Sequence, residues 1–532
     1  MAIVAVDQLA ELGMVVDVRP DTLPPHAFTN AHNVRFVDGK VQNRKGEIQV
    51  YGTPTIVPHL AMQFRRPGEN PGWVYPGLTK IYATLSGTEY NLTRQTAAVD
   101  VDYNAIASLR WNGGVQSGVM ILNNGVDVPQ SWVGLDVGVK FTDLPNWPSS
   151  WRAAVVRPFK SYLLALDVTE SSVRYPTRLR WSHSADPGTV PSSWDSTDVT
   201  LDAGETPVGG SLGFLVDAVP LRDSMVLYKQ DSVYLLTYVG GTFIFQVRGL
   251  FTNFGLANRD CAVEYIPGQH FVFTGTDIYV HNGQTAESIL KGRARDWLAR
   301  IKTANITNCF VTVHSAQDEV WFCYPTDEGD GYGGLVQEAL VWNWKSGALS
   351  YRDLRNINYI TAGLVDTQTS VVAETWSTAS GTWVDDALPW DADVTYYGGV
   401  NLLGCTTTKL VMFEQGYISD SAALPAVLER TGYAFPVAQN KPPDITRMKF
   451  CKAVWLRLTG EDMATVYVTV GGQKDVNAPV VWEPEQAYVI GQTKKINCRV
   501  SARTLALRFR SEAAFEWELH GVEFDIVPRG VF

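Results

Sequence analysis

The feature that most constrains this chain is a recurring unit: short strands of alternating apolar and polar residues, closed by turns of Gly, Asn or Asp, between about residue 60 and residue 360. Trp73-Val-Tyr75 leads to Lys80-Ile-Tyr-Ala83 and Thr88-Glu-Tyr-Asn-Leu92, and Val119-Met-Ile-Leu122 precedes the turn Asn123-Asn-Gly125. Ser161-Tyr-Leu-Leu-Ala-Leu166 follows, then Met225-Val-Leu-Tyr228 with Ser232-Val-Tyr-Leu-Leu236 and Phe243-Ile-Phe-Gln-Val247. His270-Phe-Val-Phe273 pairs naturally with Asp277-Ile-Tyr-Val280, and Glu319-Val-Trp-Phe-Cys-Tyr324 with Ala339-Leu-Val-Trp-Asn-Trp344. Successive units lie about 40 to 60 residues apart, the range in which four-stranded propeller blades repeat. A sheet that small cannot bury both faces alone, and radial stacking supplies the core that isolation denies. The pattern predicts a mainly β fold built on a β-propeller, while a pair of unrelated β-sandwiches would produce similar alternation.

The 17 Trp, 22 Tyr and 21 Phe beside 45 Gly and 27 Pro agree with many short strands and tight turns. They predict roughly 35% strand or more and less than about 15% helix, against ~20–25% and ~30–35% in ordinary domains. At 532 residues the chain exceeds the ~250–300 at which one core stops growing, so more than one folding unit is expected.

Residues 1–60 are rich in Pro and Asn and read as an N-terminal extended arm ending in a hairpin. The hairpin signal is Asp38-Gly39 between Val34-Arg-Phe-Val37 and Lys40-Val-Gln42, because a type I′ turn needs positive φ at both central residues. Residues 61–360 are the propeller blades, with one basic amphipathic helix near 287–302. There Ile289, Leu290, Trp297, Leu298 and Ile301 fall near helical spacing, while Lys291, Arg293, Arg295, Arg300 and Lys302 form a solvated face. Residues 361–440 read as a loop-rich insertion. From 441 to 532 the alternation is regular, as in Ala453-Val-Trp-Leu-Arg-Leu458 and Thr465-Val-Tyr-Val-Thr-Val470, and predicts a small β-sandwich-like subdomain.

Chemistry is sparse. The chain has no G-x-S-x-G elbow, Walker A loop, H-E-x-x-H or post-strand G-x-G-x-x-G. Its eight His are scattered, and Cys261, Cys309, Cys323, Cys405, Cys451 and Cys498 form no C-x-x-C pair, so no zinc site is expected. Sparse cysteine fits folding in a reducing cytoplasm. Asp327-Glu-Gly-Asp-Gly331 clusters carboxylates but lacks the alternating ligands of a Ca²⁺ loop, so a solvated turn is expected. Asp385, Asp386 and Asp391 with Trp383 and Trp390 have the residue types of a glycosidase or sugar-binding patch. No catalytic, cofactor or metal residue is assigned, and no cofactor is expected. The N-terminus lacks a signal-peptide pattern, and no apolar run is long enough to span a membrane. The net charge of −11, without a block of like charge, argues against coating nucleic acid; it speaks first to plain solubility and is also compatible with a passage through which DNA slides.

The order of motifs carries a resemblance. Gly13, Asp17, Leu23-Pro-Pro, Phe28, Ala31-His-Asn-Val-Arg-Phe36, Asp38-Gly39, Arg44 and Gly46 resemble the N-terminal arm of the tail nozzle (tail hub) proteins of short-tailed bacteriophages. Arg178-Leu-Arg-Trp-Ser182, Pro187, Pro191-Ser-Ser-Trp194, Asp223-Ser-Met-Val-Leu-Tyr-Lys229, Ser232-Val-Tyr234 and Gly240-Gly-Thr-Phe-Ile-Phe245 are similar to that family's blades. So are Gly255, Gly268-Gln-His-Phe-Val-Phe273, Asp277-Ile-Tyr279 and Asn282-Gly283. The resemblance implies a non-enzymatic virion protein, assembled in the host cytoplasm. It would be a homo-hexameric ring at the distal end of a portal and adaptor (head-to-tail connector) stack. Such a ring docks tail fibres or spikes, retains packaged double-stranded DNA and conducts it without sequence-specific binding. A tail-associated carbohydrate-degrading propeller and a host-receptor lectin are the rival readings.

Overall fold

In a computed structural model the chain is described over residues 2–66, 70–241, 243–326, 334–365, 400–419, 422–436, 443–512 and 514–530. Strand accounts for 52% and helix for 4%, so the mainly β expectation holds with room to spare. The fold is a β-propeller joined to a β-sandwich.

Five antiparallel sheets of four strands follow one another along the chain, each paired in sequence order, and each is one blade. Their first strands are Met62–Phe64, Asn112–Gln116, Trp151–Phe159, Leu215–Leu221 and Ala262–Ile266. A sixth blade consists of Phe310–His314, Glu319–Tyr324, Val336–Asn343 and the first half of the long strand Leu349–Gly363. The second half of that strand pairs with Asn401–Thr406, which pairs with Leu410–Phe413, which pairs with Glu47–Val50. This makes a seventh blade whose outer strand comes from the N-terminal segment. The ring closes there: Leu403, Cys405, Leu410 and Met412 of blade 7 pack on Ala61, Trp73 and Tyr75 of blade 1. The Gln63 amide and the Trp73 indole N–H both donate to the carbonyl of Leu364.

The seams between blades are apolar and aromatic, as radial stacking requires. Phe64 and Val74 of blade 1 meet Trp132, Met120 and Leu122 of blade 2, with Phe64 and Trp132 edge-on at 4.9 Å. Blades 3 and 4 share Leu164, Leu166, Leu179, Leu227 and Leu236. A closed ring of seven such seams, counted over the described residues, excludes the reading as two unrelated sandwiches.

The first fifty residues are not a free arm. Ala2–Val6 pairs with Trp517–Pro528, as does Lys40–Asn43. The expected hairpin forms between Val34–Val37 and Lys40–Asn43, with φ of 47° at Asp38 and 81° at Gly39. Asn30–His32 joins Ala426–Tyr433 to the blade 6 strand. The sandwich therefore consists of one sheet of Ile496–Ala502, Lys449–Gly460, Trp517–Pro528 and the N-terminal strands, facing another of Ala426–Tyr433, Thr504–Ser511 and Thr465–Gln473. The segment read as a loop-rich insertion is divided: 401–413 belongs to blade 7, 426–433 to the sandwich, and 366–399 lies outside the described residues.

The helix expected near 287–302 does not form. Residues 286–288 are the last strand of blade 5, and only short 3₁₀ turns follow, at Asp296–Arg300 and Thr303–Asn308. Gly292 takes a φ of 67°, which interrupts an α-helix, and the Arg293 carbonyl accepts from the N–H groups of Val16 and Asp17. Contact with the N-terminal segment overrides the local pattern.

The seam that seats this segment contains a buried ion network. Arg35 donates from Nε and Nη2 to Glu319 at 2.9 and 3.2 Å, and Arg44 from Nη1 and Nη2 at 2.9 and 3.0 Å. Arg35 and Arg352 also pair with Glu414 at 3.0 and 2.9 Å. Burial opposes the charge on Glu319, but the two guanidiniums outweigh it and hold its pKa well below the ordinary 4.5. Its stabilisation is therefore complete above that value and is lost only as pH falls through the lowered one. Glu319→Gln removes the carboxylate that both buried arginines grip with two bonds each, leaves them to share Glu414 with Arg352, and is expected to cost ~3–5 kcal/mol, read at pH 7 as a lower urea midpoint.

Candidate functional site

The first strands of the blades line the propeller axis, and charged side chains from them and from the residues just before them meet there among apolar ones. Arg157, on blade 3, donates from Nε and Nη2 to both carboxylate oxygens of Asp217 on blade 4, each at 2.8 Å. The same Nη2 reaches Oδ1 of Asp260, at the start of blade 5, at 3.0 Å, and Nη1 reaches the Gly113 carbonyl of blade 2 at 3.3 Å. Asp217 also accepts from the N–H groups of Ala218 and Asp260. Arg259 donates to the carbonyls of Ala154 and Arg110. Arg110 donates to those of Asn308 and Cys309, and its guanidinium lies over Phe310 at 5.0 Å and Tyr359 at 5.6 Å. Three arginines and two aspartates thus link blades 2 through 7 at their common centre.

Local geometry makes room for this. Gly113 has a φ of 146°, and a Cβ there would fall 1.9 Å from the Ile121 carbonyl oxygen, so only glycine lets the blade 2 strand lie so close. Asp260 adopts a left-handed φ of 59°, a conformation that surrounding structure must hold in place. Beside the cluster is a cavity of about 290 Å³, lined by Arg157, Asp217, Asp260 and Tyr359 and by apolar groups such as Pro158, Val219 and Met225. Burial lowers the affinity of Arg157 for its proton, yet Asp217 and Asp260 more than offset this and raise its pKa above the usual value. Burial pushes the Tyr359 phenol up and the Arg259 guanidinium down. With Arg157 answered by two carboxylates and Tyr359 held protonated, the cluster fastens blades together, and no nucleophile–base pair is assembled in it.

A second polar group sits at the seam of blades 4 and 5. The Gly283 N–H donates to His281 Nδ1, His281 Nε2 meets the Tyr228 hydroxyl at 2.7 Å, that hydroxyl meets His270 Nδ1 at 2.7 Å, and His270 Nε2 meets the Pro220 carbonyl at 2.6 Å. Only one assignment satisfies every atom: both rings neutral with Nε2 protonated, His281 donating to Tyr228 Oη and Tyr228 donating to His270. Each donor and acceptor is used once, so the chain is a structural bridge.

The residues singled out in the sequence fare unevenly. Asp327–Gly331 and the patch of Trp383, Asp385, Asp386, Trp390 and Asp391 lie outside the described residues. All six cysteines are free and buried, and no cluster of metal-ligating side chains occurs among the described residues. Arg293, Arg295 and Arg300 are engaged within the subunit, with the Leu12 carbonyl, Asp277 and Glu338 respectively. Sequence reasoning missed Arg157, Asp217, Asp260 and the Arg35–Arg44–Glu319 network. Their only local signal is a charge inside an apolar run, as in Leu215-Val-Asp-Ala-Val219.

No protein-family model and no curated protein matches this chain. Among solved structures, the WD40 β-propeller domain of Doa1 is 8% identical over 69% of this chain and 97% of that one, with a TM-score of 0.35. The AfRom2 CNH domain is 8% identical over 70% and 98%, with a TM-score of 0.33. A quinonprotein alcohol dehydrogenase-like protein from Bacteroides thetaiotaomicron is 12% identical over 62% and 66%, with a TM-score of 0.30. Likenesses this distant say nothing of activity, and the β-propeller class rests on the blade pairing itself.

The histidine bridge sets a pH dependence. Burial lowers His270 from 6.5 to about 4, and burial, then the neighbouring His270, lowers His281 to about 3. Below pH 6.5 the unfolded chain binds protons that the folded chain refuses, so stability falls with pH until about 4 and about 3 respectively. His59 and His314 are also lowered by burial, so the readout is a difference between proteins. Between pH 6.5 and 5, the loss of unfolding free energy in His281→Gln should be shallower than in wild type by up to ~1.4 kcal/mol per pH unit. Parallel curves would show that the ring is not neutral in the fold.

Proposed function

We propose that the chain is a structural, non-enzymatic subunit of a phage tail, a nozzle protein that forms a homo-hexameric ring at the distal end of the portal–adaptor stack. In the virion this ring retains the packaged DNA, conducts it during ejection and docks fibres or spikes. The ordered motifs of the arm and blades support the reading through their resemblance to the nozzle family.

The observation that carries it is where the positive charge goes. At the propeller axis Arg157 is paired with Asp217 and Asp260 while Arg110 and Arg259 bond to backbone carbonyls, and Arg293, Arg295 and Arg300 are held by partners in their own subunit. What remains is a stiff body of net charge −11, suited to a wall along which a duplex slides. A closed cyclic ring also gives each subunit a head-to-tail interface that terminates without growing into fibres. In this reading the mechanism is mechanical: the ring holds and then opens, and no bond is made or broken.

Negative-stain microscopy of the protein mixed with its adaptor ring should show six-fold rings. Anisotropy with duplex DNA at physiological salt should show binding weaker than micromolar and a shallow salt dependence, because few phosphates are neutralised. Arg293→Ala, Arg295→Ala and Arg300→Ala together should lower thermal stability and leave DNA binding unchanged. Submicromolar binding abolished by those changes, or release of reducing ends from a host polysaccharide, would overturn the proposal, the latter in favour of a carbohydrate-active propeller.

A further inference from the structure

Of the six buried thiols, two touch each other. Cys451 and Cys498 lie on adjacent antiparallel strands of the sandwich, with their sulfurs 3.4 Å apart. The register explains the contact. Cys451 pairs with Val500 and Ala453 with Asn497, so two residues, Cys498 and Arg499, oppose the single Lys452 in a bulge. Cys498 is 5% exposed and Cys451 fully buried, both on the core side of their strands, whereas Arg499 is exposed. Like Cys261 and Cys323, both also point at backbone carbonyls, Cys451 at that of Ala453 and Cys498 at that of Cys451, but only this pair brings two sulfurs together among the hydrogen bonds of the described residues.

We propose that Cys451 and Cys498 are a latent cross-strand disulfide, reduced as the chain folds and closed when it meets a two-electron thiol oxidant. A disulfide bond is ~2.0 Å long, so each sulfur has to move only about 0.7 Å to form one. The hydrogen bond the Cys451 thiol shares with Cys498, and then burial, raise its pKa and keep it protonated. With the azo compound diamide, the Cys498 thiolate adds to one nitrogen of the N=N bond. Cys451 Sγ then attacks Cys498 Sγ, giving up its proton as it does so; the S–S bond forms as the S–N bond breaks. Both electrons and both protons end on the hydrazine product, so the step balances. The cross-link ties together residues 47 apart in sequence, a loop long enough for closure to restrict the unfolded chain appreciably.

The test uses the full-length protein, held native and treated with diamide, then denatured and alkylated. Four labelled cysteines and one peptide pair joining Cys451 to Cys498 are expected, with a urea midpoint that rises and returns on adding dithiothreitol. Cys498→Ala and Cys451→Ala should each abolish the rise. If all six thiols still alkylate after prolonged treatment, or the cross-link joins any other pair, the proposal fails. The peptide map on the wild-type protein decides this even if one of the variants folds poorly.

Discussion

Everything in this fold depends on closing a ring with a strand that lies far away in sequence. Glu47–Val50 completes blade 7 by pairing with Leu410–Phe413, and without it that blade exposes an unpaired edge and part of the seam with blade 1. The same segment seats Arg35 and Arg44 on Glu319 of blade 6. Buried charges are costly to desolvate, so the pairing tolerates only one placement of the N-terminal segment against the blades, and that placement fixes the register of the closing strand. Arg352 and Glu414 extend the network into blades 6 and 7, and Trp321 lies 4.5 Å beneath the Arg352 guanidinium.

The axis solves a related problem. Seven blades converge on a small space that apolar side chains do not fill completely, and the remaining polar backbone groups need partners. Arg157, Arg259 and Arg110 supply them, each donating to a carbonyl or carboxylate of another blade, and Asp217 accepts both from Arg157 and from the Asp260 N–H. The result is a hub in which a shift of blade 3, 4 or 5 breaks charge-assisted bonds to its neighbours. The Tyr228–His270–His281 bridge does the same off-axis, between blades 4 and 5. Stiffness of this kind is what a wall subunit needs, and it sits well with the proposed place in a tail.

The sandwich is legible in the sequence as a C-terminal β subdomain, but the N-terminal strands that complete it are not. Thr465–Gln473 and Thr504–Ser511 alternate so regularly that their pairing is unsurprising. Nothing in the Pro- and Asn-rich arm announces that Ala2–Val6 and Lys40–Asn43 add to Trp517–Pro528, because short strands of few residues carry little pattern of their own. The expected helix near 287–302 fails for the complementary reason. Its apolar spacing is real, and Leu290 and Ala294 are buried, but the backbone is claimed by Val16 and Asp17.

Local pattern alone showed that this chain is mainly β, that its strands come in blade-sized groups, and where turns such as Asp38-Gly39 fall. These are local properties: alternation marks a buried face, and a turn needs only two residues able to adopt positive φ. Only the tertiary structure decided which strand closes the ring, which arginine meets which carboxylate at the axis, and that the arm is part of both domains. Backbone pairing looks the same from any strand, and Arg157 and Asp217, or Arg44 and Glu319, are 60 and 275 residues apart. Alternation says that a strand has a partner; the packing of the whole chain says which one.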